Sequence, residues 1–430
     1  YRYISNNLLL PVKNNFKASV IFPGTFCRGY LYMRFHSYLN SAIQILAQYR
    51  GKEPCLSGRQ AFASFIKKYF AQHKKYGSAD RKQVSHLCFC YFRLGKAAMN
   101  LPTEERILLG LFLCSVVQNE ILEQLKPEWN KKVKLSVTEK LSSIHYHLSS
   151  ENVFPWKDEL SEGIVYENFC KSFFIQPDLF LRLRPGKEKI VEEKLTAANI
   201  CYAKLNDTCL ALPNASKIDT VIELDKETIV QDYSSQQTGK FIRSEIPNPG
   251  SKINLWDCCA ASGGKSIMLY DLYYAIELTV SDVRESILAN LKKRFAKAGI
   301  AKYLSVVLDL SKNNIQYSIF NSQFSIILAD VPCSGSGTWS RTPEQLYYFD
   351  EKKIDEYASL QRTIISNVIP RLKGGGYLLY ITCSVFKKEN EDIIAFIKQK
   401  FQLELIGMEV LKGYDIKADS MFTALLRKPL

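Results

Sequence analysis

In the C-terminal half of the chain, short apolar runs recur and each ends at or near an aspartate. Ile253–Trp256 is followed by Asp257, Glu277–Val280 by Asp282 two residues on, Leu304–Leu308 by Asp309, and Phe324–Ala329 by Asp330. Segments with helical spacing lie between, most clearly Glu285–Lys297. Lys352–Val368 then precedes a fifth run, Tyr377–Ile381, and a late strand covers Phe422–Leu426. Strands alternating with helices lead to an α/β fold with a doubly wound, mostly parallel sheet. Ligands of such sheets bind beyond the carboxyl ends of the strands, so acids ending consecutive strands line one rim. Any single one of them could be a loop cap; their recurrence argues for a shared site.

Three stretches put chemistry on that rim. Phe324–Trp339 reads FSIILADVPCSGSGTW, in which Asp330 and the Cys333 thiol sit inside a Gly/Ser loop. Small residues let a planar substrate approach the backbone; a turn with an inert cysteine is the plain alternative. Trp256–Ser266 reads WDCCAASGGKS. It nearly matches a phosphate-binding loop, but that motif needs glycine where Cys259 stands, which argues against nucleotide hydrolysis. The same loop suits a nucleoside-like cofactor, with Asp282 placed to accept from ribose hydroxyls. Cys383, in the Thr-Cys-Ser after Tyr377–Ile381, should emerge on the same rim as Cys333. Two thiols converging over a cofactor site suggest covalent catalysis, because thiolate is a strong nucleophile near neutral pH; a buried inert pair is the alternative. No histidine lies beyond His147, so proton transfer here falls to carboxylate, thiol, lysine or tyrosine.

At 430 residues the chain has room for two or three domains. Its formal charge of +14 favours a polyanionic partner, nucleic acid before membrane. The 12 cysteines, from Cys27 to Cys383, show no framework spacing, which fits reduced thiols in a cytoplasmic protein. Cys88 and Cys90 have no answering Cys/His pair, so no metal site is expected. Residues 1–32 read as an extension of uncertain origin ahead of Met33: Leu8–Leu10 and Ala18–Phe22 are cut by Pro11, Lys13 and Pro23 and cannot span a bilayer.

Residues 33–150 read as an all-α domain. Leu39, Ile43 and Leu46 form one stripe, Phe62, Phe65, Ile66 and Tyr69 another; Ser78 suits an N-cap, and Pro102-Thr103 opens a fourth helix. Lys67, Lys68, Lys74, Lys75, Arg81 and Lys82 cluster around the second and third helices, as a solvated face or as a phosphate-contacting patch. Residues 151–249 read as a small α+β unit, with strands at Leu179–Arg184, Cys209–Leu212 and Thr220–Leu224 and a helix over Ile190–Ala198. Alternation places Arg182 and Arg184 on one strand face, either guiding an RNA strand or solvated. Residues 250–430 form the α/β domain, and a monomer is the default expectation.

DCCAASGGKS, the strand-end Asp282 and Asp309, DVPCSGSG and TCSVFKKENED together resemble the RNA (cytosine-5) methyltransferases of the RsmB/NSUN type. VQDYSSQ (230–236) resembles the segment entering that family's core, and 77–95 looks like the NusB-like helical domain of its bacterial branch. The resemblance implies a Rossmann-like class I methyltransferase domain behind an all-α NusB-like domain and a small α+β domain. It implies S-adenosylmethionine as cofactor and RNA as partner, with small-subunit ribosomal RNA the favoured substrate and transfer RNA, or a non-catalytic RNA-binding role, as alternatives. It further implies Cys383 as nucleophile, Asp330 on ring nitrogen 3, Cys333 assisting loss of the carbon-5 proton, and Lys265 touching the base or positioning Asp330. The loop Cys259, Ala260, Ala261, Ser262, Gly263, Gly264 and Lys265 would hold the methionine part of the cofactor, Asp282 the ribose and Asp309 the adenine edge. Pro-Cys with Thr-Cys separates this family from DNA cytosine methyltransferases, and Asp330-Val-Pro-Cys is not the Asn/Asp-Pro-Pro-aromatic motif of amino-group methyltransferases. Ser262 departs from the family's usual proline.

Overall fold

The computed structural model describes residues 24–51, 61–144, 146, 149–246, 252–273, 275–312 and 323–430, with 24–34 and 150 as backbone only. Leu8–Leu10 and Ala18–Phe22, and with them most of the 1–32 extension, lie outside the described residues. Among the described residues eight α-helices come first: α1 (Gly24–Arg50), α2 (Phe62–Gln72), α3 (Ser78–Arg93), α4 (Thr103–Cys114), α5 (Glu120–Leu125), α6 (Pro127–Asn130), α7 (Val137–Ser142) and α8 (Tyr166–Ser172). Helix α1 starts ahead of Met33 and runs unbroken through it, so the expected boundary at 32/33 falls inside a helix. Helix α2 buries Phe62, Phe65, Ile66 and Tyr69, the stripe its spacing predicts. Ser78 is not the cap of α3. Gly77 takes that place, its N–H donating to Asp80 Oδ2 at 3.0 Å, because the carboxylate three residues on reaches back to the freed amide.

A small antiparallel sheet follows, built from β1 (Leu179–Leu183), helix α9 (Glu188–Ala197), β2 (Ala203–Asn206), β3 (Cys209–Leu212) and β4 (Thr228–Val230) in the order β2-β3-β1-β4. Thr220–Leu224 is turn rather than strand; Ile218 and Ile222 bury into this unit's core from irregular chain. Arg182 of β1 and Arg184, one residue past its end, are neither solvated nor free for RNA. Arg182 Nη1 and Arg184 Nη2 donate to the two oxygens of Asp271 at 2.7 and 2.6 Å, all three side chains being almost buried. Arg184 also donates to the Ala298 carbonyl at 2.7 Å. The sheet is thus pinned to the α/β domain through its central strand.

That domain contains α10 (Tyr233–Glu245), β5 (Ile253–Asp257), α11 (Gly264–Leu272), β6 (Ile276–Asp282), α12 (Glu285–Ala298), β7 (Tyr303–Val307), β8 (Phe324–Asp330), α13 (Pro343–Tyr348), α14 (Lys352–Val368), β9 (Leu372–Thr382), α15 (Glu391–Phe401), β10 (Glu404–Leu411) and β11 (Met421–Arg427). The sheet order is β10-β11-β9-β8-β5-β6-β7. β7, β6, β5, β8 and β9 are mutually parallel, and β11 runs antiparallel to both its neighbours. From β5 the chain winds outward to β7, then returns to β8 on the other side of β5. The crevice between β5 and β8 is therefore the switch point at which such sheets bind ligands. Both faces are covered by apolar side chains, as a buried parallel sheet requires.

The helical core does not stop at the helices. Its buried set runs from Phe35 through Phe174 and takes in Trp339, Leu346, Ile354, Val385, Phe386 and Tyr414 of the α/β domain. Tyr91 and Tyr347 share a hydroxyl hydrogen bond of 3.0 Å, Lys96 Nζ donates to the carbonyls of Tyr347 and Phe349, and Glu344 Oε1 accepts the Phe62 amide that opens α2.

The Arg182–Asp271–Arg184 joint gives a direct test. Asp271→Ala leaves two nearly buried guanidinium groups without their carboxylate, so the unfolding free energy in urea should fall by about 3–5 kcal/mol. A loss below about 1 kcal/mol would show that the joint behaves as a surface ion pair.

Candidate active site

β5 ends at Asp257, and the chain turns over the sheet edge through Cys258–Gly263 into the N-terminus of α11. Backbone bonds tie the turn to its neighbours: Cys258 N–H to Leu328 O, Ala260 N–H to Ser281 O, and Gly263 N–H to Ala260 O, at 2.8–3.0 Å. Ala261 and Gly263 both have left-handed backbone (φ 46° and 81°). At Gly263 a Cβ would lie 2.6 Å from the Phe295 ring as well, so the close seat of α12 under the turn needs glycine there. Asp257 is buried, accepts from the Ser266 hydroxyl at 2.5 Å through Oδ2, and leaves Oδ1 without a hydrogen-bond partner. Burial pushes this carboxyl up to about 7; the Ser266 bond opposes the rise and the Asp330 charge adds to it. A buried acceptor lacking a donor, under a turn of small residues, fits a ligand carrying an ammonium group.

Asp282 closes β6. Oδ2 accepts from the Ala261 amide at 3.0 Å, and Oδ1 from the Arg284 amide at 2.9 Å. The Arg284 guanidinium reaches both oxygens at 3.0 and 3.1 Å. Burial alone would raise this carboxyl, but these donors outweigh it and hold it below the ordinary range. The Arg284 side chain is 57% exposed, so it can yield the carboxylate to another donor. β7 ends at Val307, and Asp309 lies two residues past the strand instead of closing it. There it caps its own turn by accepting from the Ser311 amide and hydroxyl, whose bonds hold it below the ordinary range.

Across the switch point, Lys265 Nζ of α11 donates to Asp330 Oδ2 at 2.7 Å. Burial would lower the Lys265 ammonium, but the Asp330 charge and hydrogen bond, with smaller contributions from Cys383 and Asp257, keep it above its usual value. Beyond Asp330, Cys333 Sγ stands 3.2 Å from Cys383 Sγ. The Cys333 thiol is pushed well up by its hydrogen bond to Cys383, then by burial and by the Cys383 and Glu389 charges. The expected pairings, Lys265 with Asp330 and Cys333 with Cys383, are both present. Asp282 touches the turn through Ala261, whereas among the described residues Asp309 pairs with Ser311 and Lys312 of its own loop.

Sequence reading gave no role to the scaffold beneath the thiols. Glu389 is fully buried and accepts from the Ser334 amide, the Ser384 hydroxyl and Gln361 Nε2 at 2.6–2.9 Å. It therefore ties the loop of Cys333 to the strand end of Cys383. Tyr380 OH donates to the Glu389 carbonyl at 2.7 Å, and Asn390 Nδ2 to the Ser384 carbonyl at 3.0 Å. Gly337 N–H donates to Cys383 O at 2.9 Å, and a Cβ at Gly337 would stand 2.0 Å from Ser420 O. The available signal is Gln361, a polar residue in the apolar stripe Ile354, Ala358, Ile365 of α14. Among the described residues no group of three His, Cys, Asp or Glu side chains could hold a metal ion, and no helix is long and apolar enough to cross a membrane.

Residues 246–427 match the family model described as 16S rRNA methyltransferase RsmB/F. The chain is 28% identical over 239 residues to the probable ribosomal RNA small subunit methyltransferase B of Bacillus subtilis, covering 54% of this chain and 52% of that one. It is 31% identical over 205 residues to the ribosomal RNA small subunit methyltransferase B of Shewanella oneidensis, covering 47% and 46%. The chain thus spans about half the length of the curated relatives it matches. In fold it is similar to the crystal structure of PH0851, with a TM-score of 0.64 at 20% identity over 91% of this chain and 98% of that one.

Asp257 supplies a pH test. Unfolded, the carboxyl ionises near 3.8; folded, it keeps its proton to about 7. Between those values the folded state binds more protons, so the Asp257 contribution to stability is present below the lower value and lost as pH rises toward 7. Asp257→Asn should remove this term: the stability difference between wild type and variant, followed by urea denaturation from pH 4 to 8, should shift against wild type with rising pH. A flat difference would mean that the folded carboxyl ionises normally.

Proposed function

We propose that the chain methylates carbon 5 of a cytosine in RNA with S-adenosylmethionine as cofactor, and that the RNA is that of the small ribosomal subunit; the match of residues 246–427 to the RsmB/F methyltransferase model supports this reading. The observation that carries this reading is the meeting of two thiols 3.2 Å apart beside the Lys265–Asp330 pair, at the switch point of the sheet. When bound, S-adenosylmethionine supplies an electrophilic methyl group. The turn Cys259–Lys265 and the free Oδ1 of Asp257 suit its amino-acid end, Asp282 the ribose, and Asp309 the adenine edge.

Carbon 5 of cytosine is a weak nucleophile until a thiolate adds to carbon 6. Cys383 is assigned that addition. Asp330, held by Lys265, would bind or protonate ring nitrogen 3 as charge builds on the ring. Cys333 keeps its proton while it faces Cys383. Once Cys383 is bonded to carbon, its hydrogen bond and charge no longer raise Cys333, while burial and Glu389 still do. Cys333 would then release its own proton to solvent and, as thiolate, take the carbon-5 proton, the carbon–hydrogen electron pair re-forming the ring double bond as the bond from carbon 6 to sulfur breaks and Cys383 leaves as thiolate. The base must stand clear of its stack to be reached, so the RNA is single-stranded, looped or opened on binding. Lys67, Lys68, Lys74, Lys75, Arg81 and Lys82 are all exposed on the helical region, which supports a role in contacting RNA phosphates.

The test uses purified protein, labelled S-adenosylmethionine and unmodified ribosomal RNA. Wild type should yield 5-methylcytosine. Cys383→Ala should lose at least about a thousandfold in rate while still binding cofactor, and Cys333→Ala should accumulate a covalent protein–RNA adduct resolved by denaturing electrophoresis. A Cys333→Ala enzyme that turns over normally without adduct would sink the assigned roles. Wild type that binds cofactor but labels only transfer RNA would move the substrate.

A further inference from the structure

We propose that Arg294 is a positioning residue that braces the cofactor turn against the small antiparallel sheet; this rests on the methyltransferase reading above. Within the turn, Cys258, Ala260, Ala261 and Gly263 are fixed by their own amides. Ser262 is held differently. Its carbonyl and its hydroxyl both accept from Arg294 Nη1 of α12 at 2.9 Å. The other edge of the guanidinium faces Asp225, with Nε to Oδ1 at 2.8 Å, and the pair is largely buried. Asp225 is fixed in turn: its backbone is left-handed (φ 70°), its amide donates to Thr228 O at 2.8 Å, and its carbonyl accepts from Arg184 at 3.3 Å.

A planar guanidinium is suited to this task because its donors point in fixed directions on two edges at once. One edge is neutralised by Asp225, and the other holds the peak of the turn just ahead of Gly263-Gly264-Lys265. Without Arg294, Ser262 keeps no side-chain anchor, and the turn must lose conformational freedom whenever cofactor binds. The brace therefore acts on cofactor affinity and not on the methyl-transfer step. Proline at 262 would stiffen the same place by another route, through a fixed φ. Ser262 is not among the residues with positive φ, so the negative φ that proline requires is of the right sign there.

The experiment measures KM for S-adenosylmethionine, kcat at saturating cofactor, and hydrogen exchange of the peptide spanning the turn. The proteins are wild type, Arg294→Ala, Arg294→Lys, and Arg294→Ala combined with Ser262→Pro. Arg294→Ala should raise KM for the cofactor about tenfold, the loss expected for charge-assisted hydrogen bonds, with kcat and the KM for RNA within about twofold and faster exchange in the turn. Arg294→Lys should fall between, since one ammonium cannot serve both edges, and it carries the test if the alanine variant does not fold. Ser262→Pro should restore most of the lost affinity in the Arg294→Ala background, which a purely structural defect would not permit. An unchanged KM, a fall in kcat alone, or no rescue by proline in a folded protein would overturn the proposal. Wild type that neither binds nor uses the cofactor would instead overturn the methyltransferase reading, and turn exchange in Arg294→Ala would still decide whether the brace exists.

Discussion

The ion pair between Lys265 and Asp330 crosses the crevice where the strand order reverses, and the arrangement of the α/β domain converges on it. Lys265 reaches it because β5 and α11 are joined by a turn of small residues. Asp330 reaches it because β8 returns to pair with β5, with Leu255–Asp257 in register with Ile326–Leu328. A parallel sheet points its strand ends to one rim, so the winding direction decides which loops can meet. With β8 on the far side of β5, the cofactor turn and the thiol loop face each other. The charges then reinforce the geometry: Asp330, with smaller contributions from Cys383 and Asp257, keeps Lys265 protonated despite burial.

Much of this was legible in the residues because it depends on local pattern. Apolar runs ending in acids gave the parallel strands, and the register pairs bear them out. What escaped depends on partners distant in sequence. Alternation puts Arg182 and Arg184 on one side, and both do reach one carboxylate, but nothing nearby names Asp271 as the group that buries them. Glu389 sits in a charged run, and nothing near it in sequence names the hydrogen bonds from the Cys333 loop and from α14 that hold it inside. β10 was missed because its side chains alternate poorly between buried and exposed, so period two is weak. Ile218 and Ile222 bury from a turn, which a strand assignment over Thr220–Leu224 could not foresee.

Two devices fix the loops on either side of the crevice, and they differ in kind. The Cys333 loop is held from inside by a buried carboxylate with its donors satisfied, which suits groups that must not shift relative to each other. The cofactor turn is held from outside, by α12 and through it by the small sheet. Burial at the first site raises the carboxyl of Glu389, so charge there is held by neighbours and not by water.

The continuous core between the helices and the thiol loop has a consequence for how the chain can be divided. Trp339 lies six residues past Cys333, and it packs with Phe154 and Trp156 at ring distances of 6.0 Å. Leu346, Tyr347 and Tyr348 lie among the side chains of α1 and α3. The polypeptide therefore leaves the paired thiols, passes through the interior of its neighbour, and comes back by α14. Such an arrangement is not modular: the α/β half cannot be excised along a solvent-filled seam, because the cut would run through aromatic packing that orders the reactive loop. A substitution in the helical half that disturbs this packing is correspondingly felt at the loop that carries Cys333.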